Sequence, residues 1–164
     1  MALTAWEALW FLPFAIPICI WVAWSDLKFM KIRNTSVAAL LLVFFVVGLI
    51  AVPLDQYPIR VLQIVVVLVI GFFANMIGVF GAGDAKFAAA MAAFIPYPDA
   101  MPFLILLSAV MIGALATHRL FRAMPGFRAR TPDWASWESR EFPMGFALGS
   151  SLLFYLAIGA ILGA

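Results

Sequence analysis

The 164-residue chain predicts an all-α polytopic membrane protein, about six transmembrane helices in one bundle with N- and C-termini outside. Three observations predict it. Hydrophobic residues make up 66% of the sequence and the mean hydropathy is +1.11, against roughly 45–50% apolar residues in soluble domains. Charged residues, 11% of the total, gather between apolar runs long enough to cross about 30 Å of hydrocarbon as helix. With six spans drawn, the basic residues fall almost entirely on one side.

Residues 5–24 form the first run. It holds Pro13 and Pro17 but no basic n-region or small-residue cleavage site, so it reads as a retained span rather than a signal peptide. A polar cluster of Ser25, Asp26, Lys28, Lys31, Arg33 and Asn34 precedes the second span, residues 35–52. Pro53, Asp55, Tyr57, Pro58 and Arg60 make a short polar turn. The β-branched run 61–80 is too long for a strand and reads as a third helix. Gly81 to Gly83 break it before a fourth, short segment, 84–95, that stops at Pro96 and Pro98. Residues 103–117 make the fifth span and 142 onward the sixth, with a charged loop, 119–141, between them. One domain, 1–164, is expected, with no internal repeat.

Basic residues are retained on the cytoplasmic side. Lys28, Lys31, Arg33, Lys86, Arg119, Arg122, Arg128, Arg130 and Arg140 share one side and Arg60 stands alone on the other. Asp26 and Asp84 are therefore expected at cytoplasmic ends of spans one and four, and Asp55 and Asp99 in external turns. The net charge of +2, scattered among apolar runs, excludes a nucleic-acid partner. A single cysteine, Cys19, excludes an internal disulfide and a cysteine-based zinc site.

An aspartate beside a span is costly unless it faces protein or water, which singles out Asp26 and Asp84. Two adjacent carboxylates share one proton, leaving an acid and a base side by side, and such a pair can activate water against a peptide carbonyl without metal or cofactor. Gly81 and Gly83 permit close backbone approach where span four begins, and the helix N-terminus there favours an anion. Lys86, two residues on, turns away from Asp84 on an ideal helix. Counting back from Pro96 puts Asp84 about 18 Å from the external end, recessed in the membrane.

The other polar and aromatic residues have plainer expectations. His118 reads as a solvated interfacial residue and Asn75 as a hydrogen-bonding partner for another helix. Trp6, Trp10, Trp21, Trp24, Trp134 and Trp137 read as an interfacial belt. Gly145 and Gly149 have small-xxx-small spacing for helix packing. Paired carboxylates also serve as proton or ion relays, and aspartates also merely cap helices in a non-enzymatic assembly subunit. Against a relay, no chain of ionisable residues is expected to continue to the other face.

Gly81-Ala82-Gly83-Asp84-Ala85-Lys86 resembles the GxGDxK motif of type IV prepilin peptidases, GxGD-type intramembrane aspartic proteases. Ser25-Asp26-Leu27-Lys28 followed by Ile32-Arg33-Asn34 is similar to the surroundings of that family's first catalytic aspartate. Glu141-Phe142-Pro143-Met144-Gly145-Phe146-Ala147 is similar to its Pro-x-Gly-x-Ala segment. The resemblance covers nearly the whole chain and implies Asp26 and Asp84 as catalytic residues. Gly81, Gly83, Lys86, Asn34, Pro143 and Gly145 would then be supporting motif residues. It implies removal of leaders from prepilin-like membrane substrates at the cytoplasmic face of a bacterial inner membrane, with no cofactor. The cysteine-rich zinc region of larger, N-methylating members has no counterpart here. That departure points to the short, peptidase-only subgroup of tight-adherence or Flp-type pili.

Overall fold

A computed structural model describes residues 1–139 and 141–163, so Arg140, counted above with the basic residues, lies outside the described residues. Among them the chain is helical, with no strand: α1 (Ala5–Phe29), α2 (Asn34–Ala51), α3 (Tyr57–Met76), α4 (Ala82–Ala92), α5 (Ala100–Ala123), α6 (Pro125–Arg130) and α7 (Met144–Leu162). Five of these, α1, α2, α3, α5 and α7, are long and apolar enough to cross a membrane. The chain is a multi-pass membrane protein.

The fourth apolar segment becomes α4, 11 residues long. At 1.5 Å per residue it covers about 16 Å, half a bilayer core. Its alanine-rich sequence suits burial on all sides, and Ala85, Phe87, Ala89, Ala90, Met91 and Ala92 are buried. It packs against α3, α2 and α7.

The bundle is organised around α1 and α7. Small residues on α7 let the two backbones approach, as membrane helices require where no hydrophobic force separates lipid from protein. A Cβ on Gly149 would lie 2.9 Å from the Cys19 carbonyl oxygen. α2 lies against α1, and α5 against α7. Phe11, Phe44 and Phe94 join in a dry aromatic core, Phe11 meeting Phe94 edge-on at 4.7 Å. The outer faces of α3 and α5 present Ile70, Phe73, Ile105 and Ile112, side chains a bilayer solvates.

The end opposite Asp26 and Asp84 corrects one expectation and adds to another. Arg60 is no solvated turn residue: it lies within α3, 1% exposed, pairs with Glu7 at 3.1 Å and donates to the Ala93 carbonyl. Asp99 occupies the expected turn but is buried there. It accepts from the Ala2 and Leu3 backbone N–H groups and from the Tyr155 hydroxyl at 2.6 Å. Buried polar groups persist when partnered, and here the partners come from distant parts of the sequence.

Three further expectations change. α5 runs through Ala123, so His118 lies within a helix and is buried, stacked on Trp137 with centroids 5.1 Å apart. Trp137, expected in the interfacial belt, is buried, and its Nε1–H donates to the Thr131 carbonyl. Asn75 donates to the carbonyl of Phe80, closing the turn after its own helix rather than bridging to another.

Candidate active site

Asp26 lies on the last turns of α1. Met30 follows in the left-handed region (φ 50°, ψ 42°), with its N–H on the Asp26 carbonyl, which ends the helix sharply. The Ser25 hydroxyl donates to the Lys31 carbonyl at 3.0 Å and holds the returning chain beside α1. Ile32 is thereby turned inward and buried.

Asp84 lies in the first turn of α4. Its carboxylate folds back onto Gly81, where a Cβ would stand 2.6 Å from Oδ2; only glycine leaves that approach open. Gly71 of α3 meets Ala85 so closely that a Cβ there would lie 2.8 Å away. α3 continues five residues beyond that contact and α4 only three back to Ala82, so α4 starts about 3 Å, and Asp84 lies about 6 Å, short of the end of α3. Asp84 is recessed accordingly.

α7 supplies the third wall. Pro143, fully buried, precedes its first turn and has no N–H to leave unsatisfied. The Gly145 N–H donates to Asp26 Oδ2 at 2.6 Å, a charge-assisted bond at the positive end of a helix.

These elements enclose a cavity of about 370 Å³, lined by Asp26, Asp84, Asn34, Gly81, Gly83 and Lys86 together with Met30, Lys31, Ile32, Ala82, Glu141, Phe142 and Met144. Six of the eight residues singled out in the sequence thus line one cavity, and Pro143 and Gly145 support it from behind. Lys86 turns from Asp84, as its spacing predicts, and donates to Asn34 Oδ1 at 3.2 Å, tying α4 to the start of α2. Among the described residues no group of three or more His, Cys, Asp or Glu side chains is arranged to hold a metal ion.

The segment between α5 and α7 folds over this end. Phe121, Phe127, Trp134 and Trp137 form an aromatic cluster, and the Lys28 ammonium reaches Asp133 at 2.6 Å. That hydrogen bond holds the Asp133 carboxyl below its ordinary range. The cap is therefore fastened to α1 two residues past Asp26.

Sequence reasoning missed Ile32 and Glu141 as cavity residues, although both stand inside the quoted motifs. Glu141 brings a third carboxylate to a lining that also holds the cations Lys31 and Lys86. The signal for Ile32 was an apolar residue in an otherwise charged turn.

No curated protein and no solved structure matches the chain. A family model does, that of the type IV leader peptidase family, over residues 13–117. The match contains both Asp26 and Asp84 and spans more than half of the sequence: this chain belongs to the type IV leader peptidase family.

Proposed function

We propose that the chain is an aspartic endopeptidase that removes the leader from prepilin-like precursors, with Asp26 and Asp84 as its catalytic pair. Family membership supports a leader peptidase. The observation that carries the finer reading is the cavity itself, because two carboxylates from different helices line it together.

Two carboxylates at one site cannot both ionise cheaply, so the pair holds a single proton and titrates as a unit. The ionised partner takes a proton from a water as its oxygen attacks the scissile carbonyl carbon. The protonated partner donates to the carbonyl oxygen. Collapse of the tetrahedral intermediate breaks the C–N bond, and a proton passes to the leaving amine. Each carboxylate has backbone support for its part: Asp26 on the Gly145 N–H, Asp84 folded against Gly81. The recess suits a scissile bond near the membrane surface.

With Cys19 the chain's only cysteine, the reading extends to the peptidase-only, Flp-type subgroup, without N-methylation. The basic residues favour placing the aspartate end in the cytoplasm of an inner membrane, with both termini outside.

A proton or ion carrier is the competing reading, and the buried Glu7, Arg60 and Asp99 favour it more than the sequence did. Between Glu7 and Asp26, however, the buried face of α1 is Ala8, Phe11, Ala15, Cys19, Val22 and Ser25, about 28 Å without a carboxylate, imidazole or amine to carry a proton. An assembly subunit needs neither carboxylate at a cavity. Co-expression of a prepilin-like substrate with wild type, Asp26→Asn and Asp84→Asn, at matched membrane levels, tests the proposal. Loss of processing in both variants is expected; processing that survives in either refutes the pair.

A further inference from the structure

We propose that Ile32 is a positioning residue that sets the separation of Asp26 and Asp84, acting as a wedge between α4 and α7. The inference rests on the reading of the two aspartates as a working pair. Ile32 belongs to neither helix. It stands in the turn between α1 and α2, buried, and lines the cavity.

Two motif glycines close on it from opposite sides. A Cβ on Gly83, next to Asp84, would lie 3.2 Å from Ile32 Cβ and 3.3 Å from its carbonyl oxygen. A Cβ on Gly145 would lie 2.9 Å from both Ile32 Cδ1 and Cγ1, and 3.0 Å from Asp26 Cβ. One β-branched side chain, stiff at χ1, therefore sets how near α4 and α7 come to the end of α1. The two glycines are required by its bulk as much as by the aspartates.

The contacts differ in kind, which makes the wedge testable. Gly145 meets the removable tip of Ile32, whereas Gly83 meets its Cβ and backbone. Truncating Ile32 to alanine removes two of the three close contacts that a methyl at 145 would make, leaving Asp26 Cβ at 3.0 Å, and removes none of those at 83.

Ile32→Ala, Gly83→Ala and Gly145→Ala are each expected to lower kcat about tenfold or more, as displacements near 1 Å do, with KM within about twofold. Ile32→Ala combined with Gly145→Ala should recover at least about threefold over either single variant, a coupling between contacting residues. Ile32→Ala combined with Gly83→Ala should recover nothing. Additive losses in the first pair, or wild-type kcat in Ile32→Ala, would overturn the wedge. Should Ile32→Ala accumulate poorly in membranes, Ile32→Val takes its place; it loses Cδ1 but keeps Cγ1, so a smaller loss of kcat and a smaller recovery with Gly145→Ala are expected, and additive losses in that pair still overturn the wedge.

A second readout needs no activity. In a Cys19→Ser background carrying Asp26→Cys and Asp84→Cys, bifunctional thiol reagents of graded length report the separation. The preferred length should change when Ile32 becomes Ala. If wild type cleaves nothing but the separation responds, the peptidase reading fails and the wedge stands. If the separation does not respond, the wedge fails whatever the activity.

Discussion

The Gly145 backbone N–H and the Asp26 carboxylate meet at 2.6 Å across 119 residues of sequence. The bond fastens a proposed catalytic oxygen to the first turn of α7, so the carboxylate is held as well as present. Lengthening it by one methylene should therefore cost activity without costing charge. Asp26→Glu is expected to reduce prepilin cleavage by about a hundredfold, the scale of a 1 Å misplacement. Asp26→Asn keeps an acceptor oxygen for Gly145 and should match wild type in thermal stability in detergent. Near-wild-type cleavage by Asp26→Glu would mean that the bond does not position the carboxylate.

Glu7 and Arg60 make the opposite end rigid. Removing one partner leaves a buried charge unpaired, at about 3–5 kcal/mol, whereas replacing both by apolar groups of similar shape costs little. Arg60→Ala should therefore lower the midpoint of thermal unfolding sharply, and Glu7→Gln with Arg60→Met, which removes both charges but keeps an acceptor for the Thr4 N–H, should restore most of it. Cleavage per folded molecule should stay unchanged in the double variant, because the pair lies far from the cavity. A double variant as unstable as Arg60→Ala would show that the pair contributes more than mutual neutralisation.

Those two ends were not equally legible. Hydropathy averaged over a span finds α1, α2, α3, α5 and α7, because each presents a long apolar run to lipid. The Gly-x-Gly-Asp break and the stop at Pro96 were enough to mark α4 as short. The cavity residues were legible because glycine, aspartate and lysine stood at motif spacing. Arg60 and His118 were misread, and the burial of Asp99 was not foreseen, for one physical reason. A lone polar side chain near a span end looks solvated until its partner is known, and their partners lie far away in sequence: Glu7 for Arg60, Tyr155 for Asp99, Trp137 for His118. Ile32 was missed because its role depends on three elements meeting, which no local pattern records.

Met30 is the one described residue other than glycine with positive φ. The left-handed region costs an ordinary L-residue about 1–2 kcal/mol, and asparagine tolerates it best after glycine. Met30→Asn should raise thermal stability. Met30→Val, β-branched, should lower it by more than about 1 kcal/mol and reduce cleavage with it, because this turn delivers both Asp26 and Ile32. Equal stability in the two variants would show that the turn relaxes without strain.

The tie between Lys28 and Asp133 gives the cap a pH dependence of definite sign. The Asp133 carboxyl is held below its ordinary value of 3.8 by the Lys28 ammonium. A carboxylate depressed in the folded state stabilises it above the unfolded pKa, and that contribution disappears as pH falls through the folded value. The cap should therefore stay fastened at neutral pH and loosen only below about pH 4. Asp133 is exposed, so the energy is small and screened by salt. The readout is local: Trp134, next in sequence, should shift its fluorescence to the red on acidification. Asp133→Asn should show the shifted spectrum already at pH 7, while cleavage falls by no more than about threefold, as suits a surface ion pair. A spectrum indifferent both to acid and to Asp133→Asn would mean that the aromatic cluster alone holds the cap in place.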